Sequence, residues 1–226
     1  MRKIWLATTA ALIATPLLGL PAWAASCVTD TVADYEALGA TGCTVGGLTF
    51  FDISVSAITS GTGTVALGNI TPFTLGPESG LSLNYSANTG TTSGSQADVA
   101  WTYDVIGSGI TDAFVALSGS TTGDGTIGVN EVLNNLSTGA PVTTLNLYAA
   151  GSTTATFGAV PGLGVIKDQN DFSGSSGSAT TSVVQNGFSF ATTPIPGTFP
   201  LLATGLVALW ALRRKPSKGR LDSALG

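Results

Sequence analysis

The sequence contains no histidine. That absence removes the commonest general base, the Ser-His-Asp and Cys-His arrangements of nucleophilic catalysis, and the imidazole ligands of most catalytic zinc sites. Basic residues are nearly as scarce: of the 8 Lys and Arg, only Lys167 falls between residues 25 and 193, against 12 of the 13 acids, which leaves that stretch a net charge of −11. Affinity for nucleic acid is built from Lys and Arg that displace counterions, so nucleic acid and anionic membrane surfaces are poor partners. Cysteine is limited to Cys27 and Cys43, whose spacing is not the C-x-x-C of a redox site. No repeat of fixed length is present, which argues against a solenoid or a propeller.

The two ends supply what the middle lacks. Arg2 and Lys3 precede an apolar run from Ile4 to Leu20, then Pro21 and Ala22-Trp23-Ala24. A charged start, a short apolar centre and a small-x-small exit read as a signal peptide over residues 1–24, cut by signal peptidase between Ala24 and Ala25. At the other end, Pro194-Ile195-Pro196-Gly197 leads into an apolar stretch ending at Leu212, followed by Arg213, Arg214 and Lys215. A helix over about 197–212 is short for a bilayer core of roughly 30 Å and suits a transient anchor in the inner membrane. The positive-inside bias keeps both basic clusters in the cytoplasm and places residues 25–193 outside.

The order Pro-x-Pro, apolar helix, basic stop resembles the tail of the PEP-CTERM proteins, with Ile195 where that family usually carries Glu. The resemblance implies recognition of residues 194–226 by an exosortase-type processing enzyme. It also implies sorting to the envelope surface or beyond, among exopolysaccharide and biofilm matrix. A wider similarity to a subset of these proteins runs through Asp34-Tyr35, Gly42-Cys43-Thr44-Val45-Gly46, Trp101-Thr102-Tyr103-Asp104-Val105 and Val165-Ile166-Lys167-Asp168. Those residues are structural, and the similarity implies fold and export without an assigned activity.

Export carries the two cysteines into a disulfide-permissive compartment, and Cys27 is expected to pair with Cys43. Between them, Thr31 can cap, Val32, Tyr35 and Leu38 lie three apart, and Gly39 ends the run, which predicts one short helix. From Leu48 onward the pattern has period two. Phe51, Ile53 and Val55, then Leu81, Leu83 and Tyr85, then Val99, Trp101, Tyr103 and Val105 alternate with polar residues. Further strands are expected over 64–70, 111–117, 126–136, 143–149, 163–168 and 179–190. About nine short strands predict an all-β fold, an antiparallel sandwich of jelly-roll or Ig-like kind, as one extracytoplasmic domain over 25–193.

One stretch resembles a site. Residues 120–131 place Asp124, Gly125, Ile127 and Glu131 as a calcium loop would, but Ser120 and Thr122 stand where such a loop has acids and the flanks read as strands. A hairpin turn at Asp124-Gly125 accounts for the same residues without calcium. No catalytic or cofactor motif can be read, and the chain reads as a non-enzymatic structural or binding component of the envelope or of extracellular polysaccharide. Two alternatives remain open. A glycan-active enzyme needs two converging carboxylates, and an ice- or carbohydrate-binding surface needs a Thr lattice larger than Thr62-x-Thr64.

Overall fold

The structure, a computed structural model, describes residues 24–190. The expected signal segment up to Trp23 lies outside the described residues. So does the tail with Pro194, Ile195, Pro196, Gly197, Arg213, Arg214 and Lys215 and its expected membrane helix. No helix among the described residues is long and apolar enough to cross a membrane.

The chain enters with β1 (Ala25–Ser26), β2 (Asp30–Thr31), α1 (Val32–Ala37) and β3 (Cys43–Val45). Eight longer strands follow: β4 (Leu48–Ser60), β5 (Thr64–Leu75), β6 (Glu78–Asn88), β7 (Gln96–Thr122), β8 (Thr126–Asn135), β9 (Pro141–Leu147), β10 (Gly151–Phe172) and β11 (Ser178–Phe190). The all-β expectation with one short N-terminal helix holds. The wiring differs from nine short antiparallel strands, since eleven strands join one pairing network and β1 lies parallel to β3.

Two strands explain the difference. β7 runs for 27 residues and β10 for 22, and each bends in the middle. Before the bend, residues 96–106 of β7 pair with β4 on one side and with residues 162–172 of β10 on the other. Beyond it, residues 110–122 pair with β11, while β10 residues 151–156 pair along the other edge. The bend sits at Gly107-Ser108-Gly109, where Gly109 has φ 97, opposite register shifts between Thr156 and Gly162. Bulges of this kind turn a strand and raise its twist without ending it.

The result is a sandwich-like pair of layers that share β7 and β10. One layer reads β9-β8-β10-β7-β4-β3-β1, and the other reads β10-β7-β11-β6-β5-β2. Alternation fixes which face turns inward. Val99, Trp101, Tyr103 and Val105 from β7 meet Leu81 and Leu83 of β6, Val184 and Phe188 of β11, and Phe50 of β4 in one core. Phe188 spans the layers, with its ring 6.3 Å from Phe50 and 6.5 Å from Tyr103.

The N-terminal segment closes one end. Thr31 Oγ1 accepts the Asp34 N–H at 3.2 Å and caps α1, and Tyr35 Oη donates to the Val28 carbonyl at 2.7 Å. β3 covers β4 only as far as Phe50. Farther along that edge, Glu36 Oε1 accepts the Val55 N–H at 2.9 Å, so the helix supplies a bond that a neighbouring strand would otherwise make. The Cys27–Cys43 disulfide forms as expected, with Cα atoms 4.9 Å apart, and ties the entry segment to β3.

Candidate functional site

Two places concentrate polar side chains beyond what the sheets need. The first is the outer face of the layer that contains β8, β9 and β10. Strand register sets Asn146, Asn130, Asp168 and Ala100 in one row across β9, β8, β10 and β7, and Gly128, Asn170 and Asp98 in the next. The residues that alternate with them, Val129, Glu131, Lys167, Gln169, Asp171, Ala97 and Val99, are all buried, so alternation turns these amides and carboxylates to solvent. Asn130 Nδ2 donates to Asn146 Oδ1, and Asn170 Nδ2 donates to Asp98 Oδ1. Just past β9, Tyr148 is 83% exposed and its ring lies beside Gly128, which brings no side chain to the spot. Gly128, Asn130, Asn146, Tyr148, Asp168 and Asn170 line a shallow depression of about 380 Å³.

The electrostatics of this face are acidic. Partial burial, followed by the negative charge of Asp168, holds the Asp98 carboxyl above its ordinary range. At the other end of the face, burial and then the charge of Asp52 do the same to Asp104. Asp52 takes the left-handed conformation, φ 51, at the bulge where the β4 register shifts between Phe51 and Ser54. Such a face offers hydroxyl acceptors from carboxylates, donors and acceptors from amides, and one aromatic plane. It offers no cation to an anionic ligand.

The second place is inside. On β10, Lys167, Gln169 and Asp171 continue the inward phase set by Leu163 and Val165, and all three are buried. Lys167 pairs with Glu131 of β8 in the salt bridge seen among the described residues, with 1% and 0% of the two side chains exposed. The Lys167 ammonium also lies 5.5 Å from the centre of the Trp101 ring. Asn186, from the opposite layer, donates from Nδ2 to Glu131 Oε1 at 3.2 Å and to the Phe114 carbonyl at 2.8 Å, and accepts from the Tyr103 hydroxyl. Burial pushes the Lys167 ammonium down from its ordinary value, with Glu131 opposing, and pushes the Tyr103 phenol well up.

Asp171 accepts from Gln169 and, at 3.0 Å, from Thr181 Oγ1, yet burial still raises its carboxyl to about 7. Glu78, held up first by burial and then by the charge of Asp112, also reaches about 7. Both carboxyls titrate near 4 in an unfolded chain. Between about pH 4 and pH 7 the folded protein therefore keeps protons that the unfolded chain has lost. Their contribution is fully present below about pH 4 and fades as pH rises through 7. Thermal melts should show a higher Tm near pH 5 than near pH 8, and Asp171→Asn should flatten that slope by raising the alkaline Tm. An equal or higher Tm at the alkaline end contradicts the assignment.

The residues of the calcium-like stretch are not brought together. Asp124 lies in the exposed turn after β7, where its two oxygens accept the Ser175 and Ser176 N–H groups, both at 2.8 Å. Those bonds, led by the Ser175 hydroxyl, hold its carboxyl well below the usual range. Glu131 points into the core against Lys167. The turn thus clasps the loop before β11, and no cluster of three or more potential metal-binding His, Cys, Asp or Glu occurs among the described residues. The rows of Asn130, Asn146, Asp168 and Asn170 leave no signal in the sequence, because only strand register makes neighbours of them.

No family model and no curated protein matches the chain. Among solved structures it is similar to the enzymatically active domain of tailspike protein 4 of bacteriophage CBA120, at 15% identity over 59% of this chain and 19% of that one, with TM-score 0.31. A second likeness is to TmCBM61 in complex with β-1,4-galactotriose, at 6% identity over 55% of this chain and 86% of that one, with TM-score 0.29. A third is to the glycosylation-associated Gap123 complex from Streptococcus agalactiae, at 10% identity over 64% of this chain and 26% of that one, with TM-score 0.27. The chain spans a minor part of the first and third of these structures and most of the second, at TM-scores too low to speak for what it binds.

Proposed function

We propose that the protein is an exported, surface-sorted binding component of the extracellular matrix, and that its open β8-β9-β10 face holds a neutral polysaccharide. The observation that carries this reading is the pair of adjacent rows, Asn146-Asn130-Asp168 and Asn170-Asp98, beside the exposed Tyr148 ring. Sugar hydroxyls come in fixed pairs that planar amides and carboxylates match, and a sugar's C–H face stacks on an aromatic ring. The negative field of the face disfavours uronate-rich or sulfated chains. Affinity electrophoresis through gels cast with neutral or acidic polysaccharides tests the reading. Retardation is expected in a neutral gel and should weaken about tenfold in Tyr148→Ala, the loss of roughly 1.4 kcal/mol. Migration unaffected by every neutral gel overturns it.

Export and sorting rest on the two ends of the sequence. In this proposal signal peptidase cuts after Ala24, the apolar stretch near 197–212 anchors the chain in the inner membrane, and an exosortase-type enzyme processes the tail. The mass of the protein recovered from cell fractions reads both cuts, and an uncut chain in the cytosol contradicts them.

A glycan-active enzyme is the second reading, favoured by the like charges of Asp98 and Asp168 on the same face. It requires release of reducing ends from the bound polysaccharide and loss of that release in Asp168→Asn.

A further inference from the structure

We propose that Lys167 and Asn186 become joined by an intramolecular isopeptide bond, formed without any other protein, with Glu131 carrying the proton. Nothing in the glycan-binding reading requires this bond, and its site is the interior between the two layers.

The geometry sets a nucleophile and an electrophile against one carboxyl group. Glu131 Oε2 contacts the Lys167 Nζ, and Glu131 Oε1 accepts from the Asn186 Nδ2 at 3.2 Å. All three side chains are at least 99% buried, with the Trp101 ring 5.5 Å from the Lys167 Nζ and the Tyr103 ring 5.0 Å from that of Trp101. The Tyr103 hydroxyl donates to Asn186 Oδ1, the atom on which negative charge develops when an amine adds to the amide carbon. Phe114 holds the amide nitrogen from the other side at 2.8 Å and fixes the plane of the amide.

A buried ammonium is disfavoured, which moves Lys167 toward the free amine that attacks. Its proton passes to Glu131. The Nζ lone pair then adds to Asn186 Cγ, and the charge forming on Oδ1 is met by the Tyr103 hydroxyl. Glu131 protonates Nδ2 and takes the second Nζ proton as the carbonyl re-forms. The Cγ–Nδ2 bond breaks and ammonia leaves. One C–N bond forms and one breaks, nothing is oxidised or reduced, and no co-reactant enters. Fixed placement in a dry site replaces the encounter that makes amine exchange at an amide so slow in water. The bond ties β10 in one layer to β11 in the other, so the layers are linked across the core.

The sequence supplies an unusually clean test. Lys167 is the only Lys or Arg between Lys3 and Arg213. Trypsin acting on the denatured, reduced protein therefore has one site between residues 25 and 212, and an acylated Lys167 is not cut. The expected result is an intact protein lighter than its processed sequence by one ammonia, and a tryptic body that stays whole across residue 167. Full mass with cleavage at Lys167 overturns the proposal, as does loss of ammonia with cleavage at Lys167, which puts the loss elsewhere. In Glu131→Gln the mass should return to the full value and Lys167 should be cut; continued cross-linking in that variant overturns the role given to Glu131. The wild-type mass is decisive even if this variant fails to fold. A salt bridge with a purely structural role moves neither readout.

Discussion

Replacing Lys167 alone with methionine should lower the unfolding free energy by at least about 3–5 kcal/mol in urea titrations, because it removes the cross-link and also strands Glu131 where 0% of the side chain meets water. Part of that cost is a buried carboxyl left without its partner. Removing it as well relieves that part, so Lys167→Met combined with Glu131→Leu should recover much of the loss. Asn186 keeps the Phe114 carbonyl and the Tyr103 hydroxyl in that double variant, which leaves its other polar atoms bonded. Stability still missing from the double variant then measures what the cross-link contributes. A single variant within about 1 kcal/mol of the parent contradicts the buried cluster, since only exposed polar contacts are that cheap to break.

The next largest effect belongs to the disulfide. Cys27 and Cys43 are 16 residues apart, and a loop of this size restricts the unfolded chain by roughly 3 kcal/mol on the chain-entropy account. Cys27→Ser with Cys43→Ser should therefore lower stability by about that amount. The damage should start locally. Without the bond, α1 is held by the Tyr35–Val28 contact, by Glu36 on Val55, and by the burial of Val32 and Tyr35. Hydrogen exchange should accelerate first over residues 25–45 and at the Val55 amide, while β6, β7 and β11 keep their protection. Equal stability of the two proteins, or uniform loss of protection, contradicts this division.

The pattern of the sequence predicts much of this structure where burial alternates cleanly. Thr31 does cap the helix, and the strands around Leu83 and Trp101 present the faces their apolar residues dictate. It falls short where a strand bends. Gly107-Ser108-Gly109 looks like a loop between two strands, but a bulge there lets β7 continue into the second layer. The first half of β10 escapes notice because its inward residues, Thr153, Ala155 and Phe157, are only half-buried and mostly small or polar, so residues 151–161 show a weak apolar phase. The interior cluster was partly legible. Lys167 follows Leu163 and Val165 at even spacing, and Glu131 sits between Val129 and Leu133, which places one charge of each sign on a core-facing phase. What the sequence lacks is the register that makes them partners, and the layer crossing that brings Asn186 to them. The outer face was illegible for the same reason, since Asn130, Asn146 and Asp168 belong to three strands.

The ligand face can be read amide by amide. Titrating the folded protein with neutral oligosaccharides while following backbone and side-chain amide resonances should shift Asn130, Asn146 and Asn170 together with the residues flanking Tyr148. The β5-β6 side of the molecule should stay still. Shifts confined to that other side, or a spectrum indifferent to every neutral sugar at millimolar concentration, contradict glycan binding on this face.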